Sequence, residues 1–253
     1  MKSALLVISA LMVANAAHAA GKFVTYEVNG ASYEGYYAPA SDGAPMVLLI
    51  HDWDGLTDYE VKRSEMLVRL GYTVFAADLF GVGVRPTRVE DKRRYTGELY
   101  QDRAKMRALI GGALKKAESL GADTGRAVVM GYCFGGAAVL EYARSGADMK
   151  GFVTFHGGLN TPEGQSYAKT RGKLLILHGS ADTVATMDDF VRLAKELEQA
   201  GVPHEMILYG GAPHAFTVFG SDRYRKDADR KSWRRFTEFL ADTFTPGFMD
   251  ATK

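Results

Sequence analysis

Apolar residues are laid out along this chain in two rhythms. Short unbroken runs recur at 45–51, 72–77, 126–130, 150–156, 173–178 and 204–209. Runs of that length without alternation predict strands covered on both faces. Between them, apolar positions return at helical spacing. Residues 58–70 carry Val61, Met66, Leu67 and Leu70, and residues 187–200 carry Phe190, Leu193, Ala194 and Leu197 on one stripe. Gly71 ends the first of these helices, and Gly201 with Pro203 ends the second. Further helices are predicted from about 99 to 120, over 137–145 and over 228–244, whereas 82–97 is charged and irregular and reads as a loop with a short helix. Ahead of all this, the aromatic-rich segments 23–28 and 32–37 flank Asn29-Gly30, the dipeptide that best closes a two-residue hairpin. Strand and helix alternate from residue 45 onward. The fold class expected is therefore α/β: a mostly parallel sheet with helices on both faces and an N-terminal antiparallel hairpin. No repeat, linker or low-complexity stretch divides residues 20–253, which read as a single domain.

The first nineteen residues follow another logic. Lys2 precedes an apolar run over 4–13, and Ala17-His18-Ala19 supplies a small-residue cleavage site before Ala20. That is a secretory leader cut after Ala19, which predicts a periplasmic or secreted mature protein; a retained anchor is the alternative. Formal charge is +1 and falls to zero without Lys2. So balanced a chain is not built to hold nucleic acid, and after cleavage no stretch is long enough to cross a bilayer, which leaves a small-molecule substrate as the expected partner. The oligomeric state is not legible. Basic residues at 93–94 and 223–235 are interleaved with Asp222, Asp227, Asp229 and Glu238 and read as solvated faces.

One stretch carries chemistry. Gly131-Tyr132-Cys133-Phe134-Gly135-Gly136 joins the strand at 126–130 to the helix after it. A reactive side chain hemmed by glycines between strand and helix is the layout of a nucleophile elbow, here with Cys in the place of Ser. At a helix N-terminus the dipole favours thiolate, so a lowered Cys133 pKa is expected. Cys133 is the sole cysteine and has no disulfide partner within the chain; in an oxidising compartment an idle thiol is a hazard, which mildly favours a role for it. The alternative is an inert thiol packed in a tight turn.

Parallel sheets place ligands beyond the C-terminal ends of their strands. Asp182 follows the run at 173–178 and His214 the run at 204–209. Singly, each reads as a turn acid or a loop histidine; together with Cys133 they give the chain order nucleophile, acid, histidine of a hydrolase triad. In it, His214 takes the thiol proton and Asp182 fixes the imidazole. The backbone N–H groups of Phe134 and Trp53 are the expected oxyanion hole.

With those residues in view, the chain resembles the dienelactone hydrolase family from about residue 24 to 244, on Gly131–Gly136, Asp182 and His214-Ala215-Phe216. The resemblance implies an α/β-hydrolase fold and a Cys-His-Asp triad that opens ester or lactone bonds with no cofactor and no metal. It also implies an acid that hydrogen-bonds the resting thiol. Asp52 stands where Glu is usual, and Asp54 is its rival. Members acting on dienelactone carry one Arg just after the Asp-Leu-Phe/Tyr strand end and another four residues past the histidine. Here those places hold Gly81 and Val82, and Val218, with Arg85 or Arg88 as substitutes from the loop. A broader or more apolar ester or lactone than dienelactone is therefore expected. Phe80, His156 and Phe216 are the expected pocket residues, with Trp53, Phe134 and Phe219 beside them. His51, His156 and His178 also end strands, but no zinc-type spacing joins them, so packing or site-lining is the reading. The whole points to an exported cysteine-dependent ester or lactone hydrolase. The alternatives are a peptidase or acyltransferase on the same fold, or a non-catalytic periplasmic binding protein with Cys133 inert.

Overall fold

In the computed structural model, which describes residues 20–245, the N-terminal hairpin forms as the sequence predicts. Strands β1 (Lys22–Val28) and β2 (Ala31–Ala38) are antiparallel, joined by Asn29 and Gly30 at φ 52° and 78°. Two successive positive φ values match the turn to the twist of its strands, which is why Asn-Gly stands there. The proposed leader, 1–19, lies outside the described residues.

The remaining strands are β3 (Pro45–Ile50), β4 (Thr73–Ala77), β5 (Asp123–Tyr132), β6 (Asp148–Phe155), β7 (Arg171–Gly179) and β8 (His204–Tyr209). All eight form one sheet in the order β1-β2-β4-β3-β5-β6-β7-β8. β2 runs antiparallel to β4, and every pairing from β4 to β8 is parallel. Their side chains alternate between two cores. Met46, Leu48 and Ile50 of β3 face one, and Val47 and Leu49 the other. Burial on both faces is what the unbroken apolar runs encode.

Helices α1 (Asp58–Val68) and α6 (Lys226–Phe244) cover one face, while α2 (Val89–Gln101), α3 (Arg103–Ser119), α4 (Phe134–Arg144) and α5 (Met187–Gln199) cover the other. Two departures from the sequence reading have local causes. Residues 82–101 hold a full helix, α2, and the predicted long helix is two helices broken at Asp102. That residue ends α2 and caps α3, its carboxylate accepting from Lys105 N–H at 2.8 Å. A polar segment such as 89–101 shows little apolar stripe, so its helix rests on tertiary contacts through Thr96 and Leu99. Second, α4 begins at Phe134, directly after the elbow, rather than at 137.

Candidate active site

Cys133 has φ 51° and ψ −112°, a conformation an L-residue adopts only under constraint. The constraint is the close approach of β5, α4 and β3. A Cβ on Gly131 would lie 2.3 Å from the Gly135 carbonyl carbon, and one on Gly135 would lie 2.3 Å from the Ile50 oxygen. Both obstacles are backbone, so neither position admits a side chain. Cys133 N–H donates to the Phe155 carbonyl at 3.0 Å, extending the β5–β6 ladder by one bond and aiming the side chain off the end of the sheet. Cys133 is half-buried as a residue.

Asp182 lies in the turn after β7, and His214 in the loop after β8. The two loops are stitched together: Ala181 N–H donates to the Ala212 carbonyl, Ser180 N–H to the Tyr209 carbonyl, and Gly211 N–H to the Ser180 hydroxyl. Across that seam His214 Nδ1 is 2.8 Å from Asp182 Oδ2, and His214 Nε2 is 3.0 Å from Cys133 Sγ. Asp182 Oδ1 accepts from Val184 and Ala185 N–H at 2.8 and 3.0 Å. Burial works to raise the Asp182 carboxyl, but the His214 ring and these two N–H groups outweigh it and hold it below its ordinary value. An ionised Asp182 accepts the hydrogen bond of His214 Nδ1–H and leaves Nε2 as a base facing sulfur.

The thiol departs from expectation. Burial, then the charge Asp52 carries once ionised, then that of Asp182, push Cys133 well above an ordinary thiol; the Phe134 N–H pulls the other way and loses. Desolvation and three nearby acids outweigh the helix dipole. A thiol so raised keeps its proton at rest, with His214 Nε2 as its hydrogen-bond partner.

Asp52 was expected to bind the resting thiol. Among the described residues, the side-chain bond of the sulfur is to His214, and Asp52 Oδ1 accepts from Asp54 N–H at 3.0 Å. Buried beside Asp54 and Glu60, its carboxyl rises to about 9 from an ordinary 3.8, burial being the main cause. Asp52 therefore acts on sulfur through its protonation state, and the same shift makes stability depend on pH. Between about pH 4 and about pH 9 the folded protein holds a proton that the unfolded chain releases, so stability falls as pH rises through that window. Asp52→Asn, which cannot ionise, gains on the wild type as pH increases. Thermal midpoints of both proteins at pH 5, 7 and 9 check this, and parallel curves refute it.

Phe134 opens α4, where first-turn N–H groups have no intrahelical partner, and its N–H points toward Sγ. Trp53 N–H has no protein acceptor among the described residues. Gly135 abuts the Ile50 and His51 carbonyls, which sets the 52–54 loop against the first turn of α4. Beside this lies an aromatic wall. Phe80 packs on Phe134 with centroids 5.6 Å apart, on His51 at 4.6 Å and on Tyr95 at 5.4 Å. A cleft of about 440 Å³ opens between Asp52, Trp53 and Asp54 on one side and Ala215 and Val218 on the other.

Two expected pocket residues sit elsewhere. His156 and Phe216 are both 0 % exposed and pack together behind His214, their ring centroids 5.3 Å apart. The end of an apolar strand buries the next side chain as readily as it presents one. His51 accepts from Leu79 N–H through Nε2, and His178 Nε2 pairs with the Ala185 carbonyl; both are packing residues. Arg85 bonds the Val84 carbonyl and lies 3.8 Å from Asp78, and the Arg88 side chain is 75 % exposed beside Glu90. Neither is placed as a substitute for the missing arginines. Sequence reasoning passed over Tyr100, 37 % exposed, whose ring meets Phe134 at 5.5 Å. It falls at the seam between a segment read as loop and one read as helix, where no pattern marked it.

Comparison with known proteins bears on the family and the fold. The model of the family described as dienelactone hydrolase matches residues 34–244. A candidate carboxymethylenebutenolidase of Salmonella typhimurium is 25% identical over 219 residues, covering 81% of each chain. Among solved structures, m3DLH has a TM-score of 0.82 and 29% identity over 89% of this chain and 98% of its own. A dienelactone hydrolase-like promiscuous phosphotriesterase from metagenomic libraries gives a TM-score of 0.82 and 26% identity, with the same coverage.

Proposed function

Since the chain belongs to the dienelactone hydrolase family, a hydrolase family of α/β-hydrolase fold acting on small molecules, we propose that it is an exported, cysteine-dependent hydrolase of carboxylic esters or lactones. One observation carries the reading: a strained Cys133 whose sulfur is 3.0 Å from His214 Nε2, with His214 Nδ1 2.8 Å from Asp182. Cys133 Sγ attacks the carbonyl carbon while its proton passes to His214 Nε2. The carbonyl oxygen, now negative, is held by the Phe134 and Trp53 N–H groups. As the C–O bond breaks, the alkoxide takes the proton from His214 and leaves, or stays tethered if the substrate is a lactone. Water then gives a proton to His214 and attacks the thioester, releasing the acid and restoring the thiol.

The cleft favours a neutral acyl or alcohol group. With Asp52 protonated and Asp54 paired with Lys92 at 3.4 Å, Asp222 and Arg223 leave its walls in charge balance, and Val218 stands where members acting on dienelactone have arginine. Together with the engaged Arg85, this supports an apolar or neutral substrate over dienelactone. Export is proposed from the leader motif at 1–19 alone.

The test is a panel of acyl-chain esters, lactones of several ring sizes, a peptide and a phosphotriester, with acid-quenched mass analysis of the Cys133 peptide. The reading expects turnover of esters or lactones and an acyl group on Cys133 during it. Turnover confined to the peptide or the phosphotriester, or an unmodified Cys133 during ester turnover, refutes it.

A further inference from the structure

His156 presents a puzzle that the triad leaves unsolved. It has no exposed surface, so it touches no substrate, yet it holds φ +40° at the end of β6. Among the described residues, four that are not glycine have positive φ: Asn29 in the hairpin turn, Cys133, His156 and Ala215. The last three lie together, one of them the nucleophile and one next to His214. Strain of this kind costs of order 1–3 kcal/mol per residue and persists where the surroundings over-determine it. His156 is over-determined. Its N–H donates to the Leu177 carbonyl at 2.8 Å, its ring lies edge-on to His214 with centroids 5.4 Å apart, and its Nε2 is 2.7 Å from Thr217 Oγ1.

Thr217 is three residues past His214 and fully buried. Its hydroxyl also meets the Tyr59 hydroxyl at 2.7 Å, and its carbonyl accepts from Arg63 Nη2 at 2.9 Å. Arg63 Nε donates to Tyr59 Oη at 3.2 Å, and Arg63 Nη2 forms a buried ion pair with Asp229 of α6. Tyr59 Oη accepts from Arg63 Nε, and the Thr217 hydroxyl bridges Tyr59 Oη and His156 Nε2. The contacts thus join a guanidinium clamped between α1 and α6 to the ring that backs His214.

Resting on the hydrolase reading above, we propose that Thr217 and His156 are positioning residues: the Thr217 hydroxyl, held between Tyr59 and His156, ties the His214 loop to His156, whose ring sets the distance of the His214 imidazole from sulfur. The charges around His156 suit a spacer. Burial, then His214 and His178, push its imidazole well below an ordinary histidine, so it stays neutral beside a ring that must accept a proton.

Thr217→Val keeps the shape and removes the hydroxyl; Thr217→Ser keeps the hydroxyl. His156→Asn tolerates positive φ and gives up the ring. Each full-length protein is assayed for ester kcat and KM and, separately, for the rate of Cys133 alkylation by iodoacetamide from pH 6 to 9. We expect Thr217→Val and His156→Asn each to lower kcat and neutral-pH alkylation about tenfold with KM unchanged, and the double variant to be no worse than either. Thr217→Ser should stay within about twofold of wild type. Wild-type alkylation profiles in folded Thr217→Val overturn the proposal, as does an equal loss in Thr217→Ser. If Thr217→Val does not fold, His156→Asn decides in the same way. Alkylation reads the sulfur–imidazole pair without any ester, so a protein that hydrolyses no ester yet loses alkylation in these variants refutes the hydrolase and leaves the positioning role standing.

Discussion

Replacing Cys133 by alanine lowers kcat/KM for the preferred ester by about 10⁴-fold or more. The size comes from how the site is built. Sulfur is the one atom that both faces the His214 base and sits beside the Phe134 N–H. Without it, the substrate can still lie against Phe80 and Phe134, and any oxyanion is still held. The carbonyl carbon, however, meets no nucleophile but a water that nothing positions at sulfur's place. Initial rates of the purified variant, at matched concentration and with circular dichroism to confirm folding, give the measurement. A loss under tenfold means that water attacks directly and that the thiol is a bystander.

Asp182→Asn lowers kcat by about 10⁴-fold while leaving the fold intact. The direction of each hydrogen is the reason. Asp182 Oδ1 accepts from both Val184 and Ala185 N–H, so the amide oxygen of asparagine stays on that side. Its NH₂ then faces His214 Nδ1 as a donor where the carboxylate was an acceptor. The ring responds by moving its proton to Nε2, which now points N–H at Cys133 and can no longer take the thiol hydrogen. Nitrogen-15 spectra of labelled histidine report the tautomer directly, and the rate reports the consequence. An unchanged tautomer together with a full rate rejects Asp182 as the group that orients His214.

Much of the scaffold could be read from the chain because its signals are local. Unbroken apolar runs such as 45–50 and 173–178 admit little but a strand packed on both sides, and Gly131, Gly135 and Gly136 mark a place where backbones nearly touch. The juxtaposition of Cys133, Asp182 and His214 could be read from strand ends, since topology brings the ends of parallel strands to one rim. The features that were not legible depend on sums over distant residues. The helix dipole at Cys133 is visible in sequence; the burial and neighbouring carboxylates that outweigh it are contributed by residues 52 and 182, far along the chain. His156 and Phe216 come after apolar runs just as the site residues do, and only the packing of Thr217 and Tyr59 around them decides that they face inward. The polar helix α2, with its site-facing Tyr100, carries no periodicity to announce it.

The order of the strands has a mechanical consequence. Cys133 leaves β5, which is held by neighbours on both sides, but His214 leaves β8, which among the described residues pairs with β7 alone. Cys133 is thus embedded in the slab, and the imidazole facing it is mounted on a cantilever. Fraying of that one ladder swings the imidazole away while the sulfur and nearly all of the sheet keep their places, so turnover is lost before the protein melts. The anchor through Arg63 and Asp229 fastens the free end of the cantilever to two helices. Rigidity at this margin, more than in the centre, sets the temperature up to which the site stays assembled.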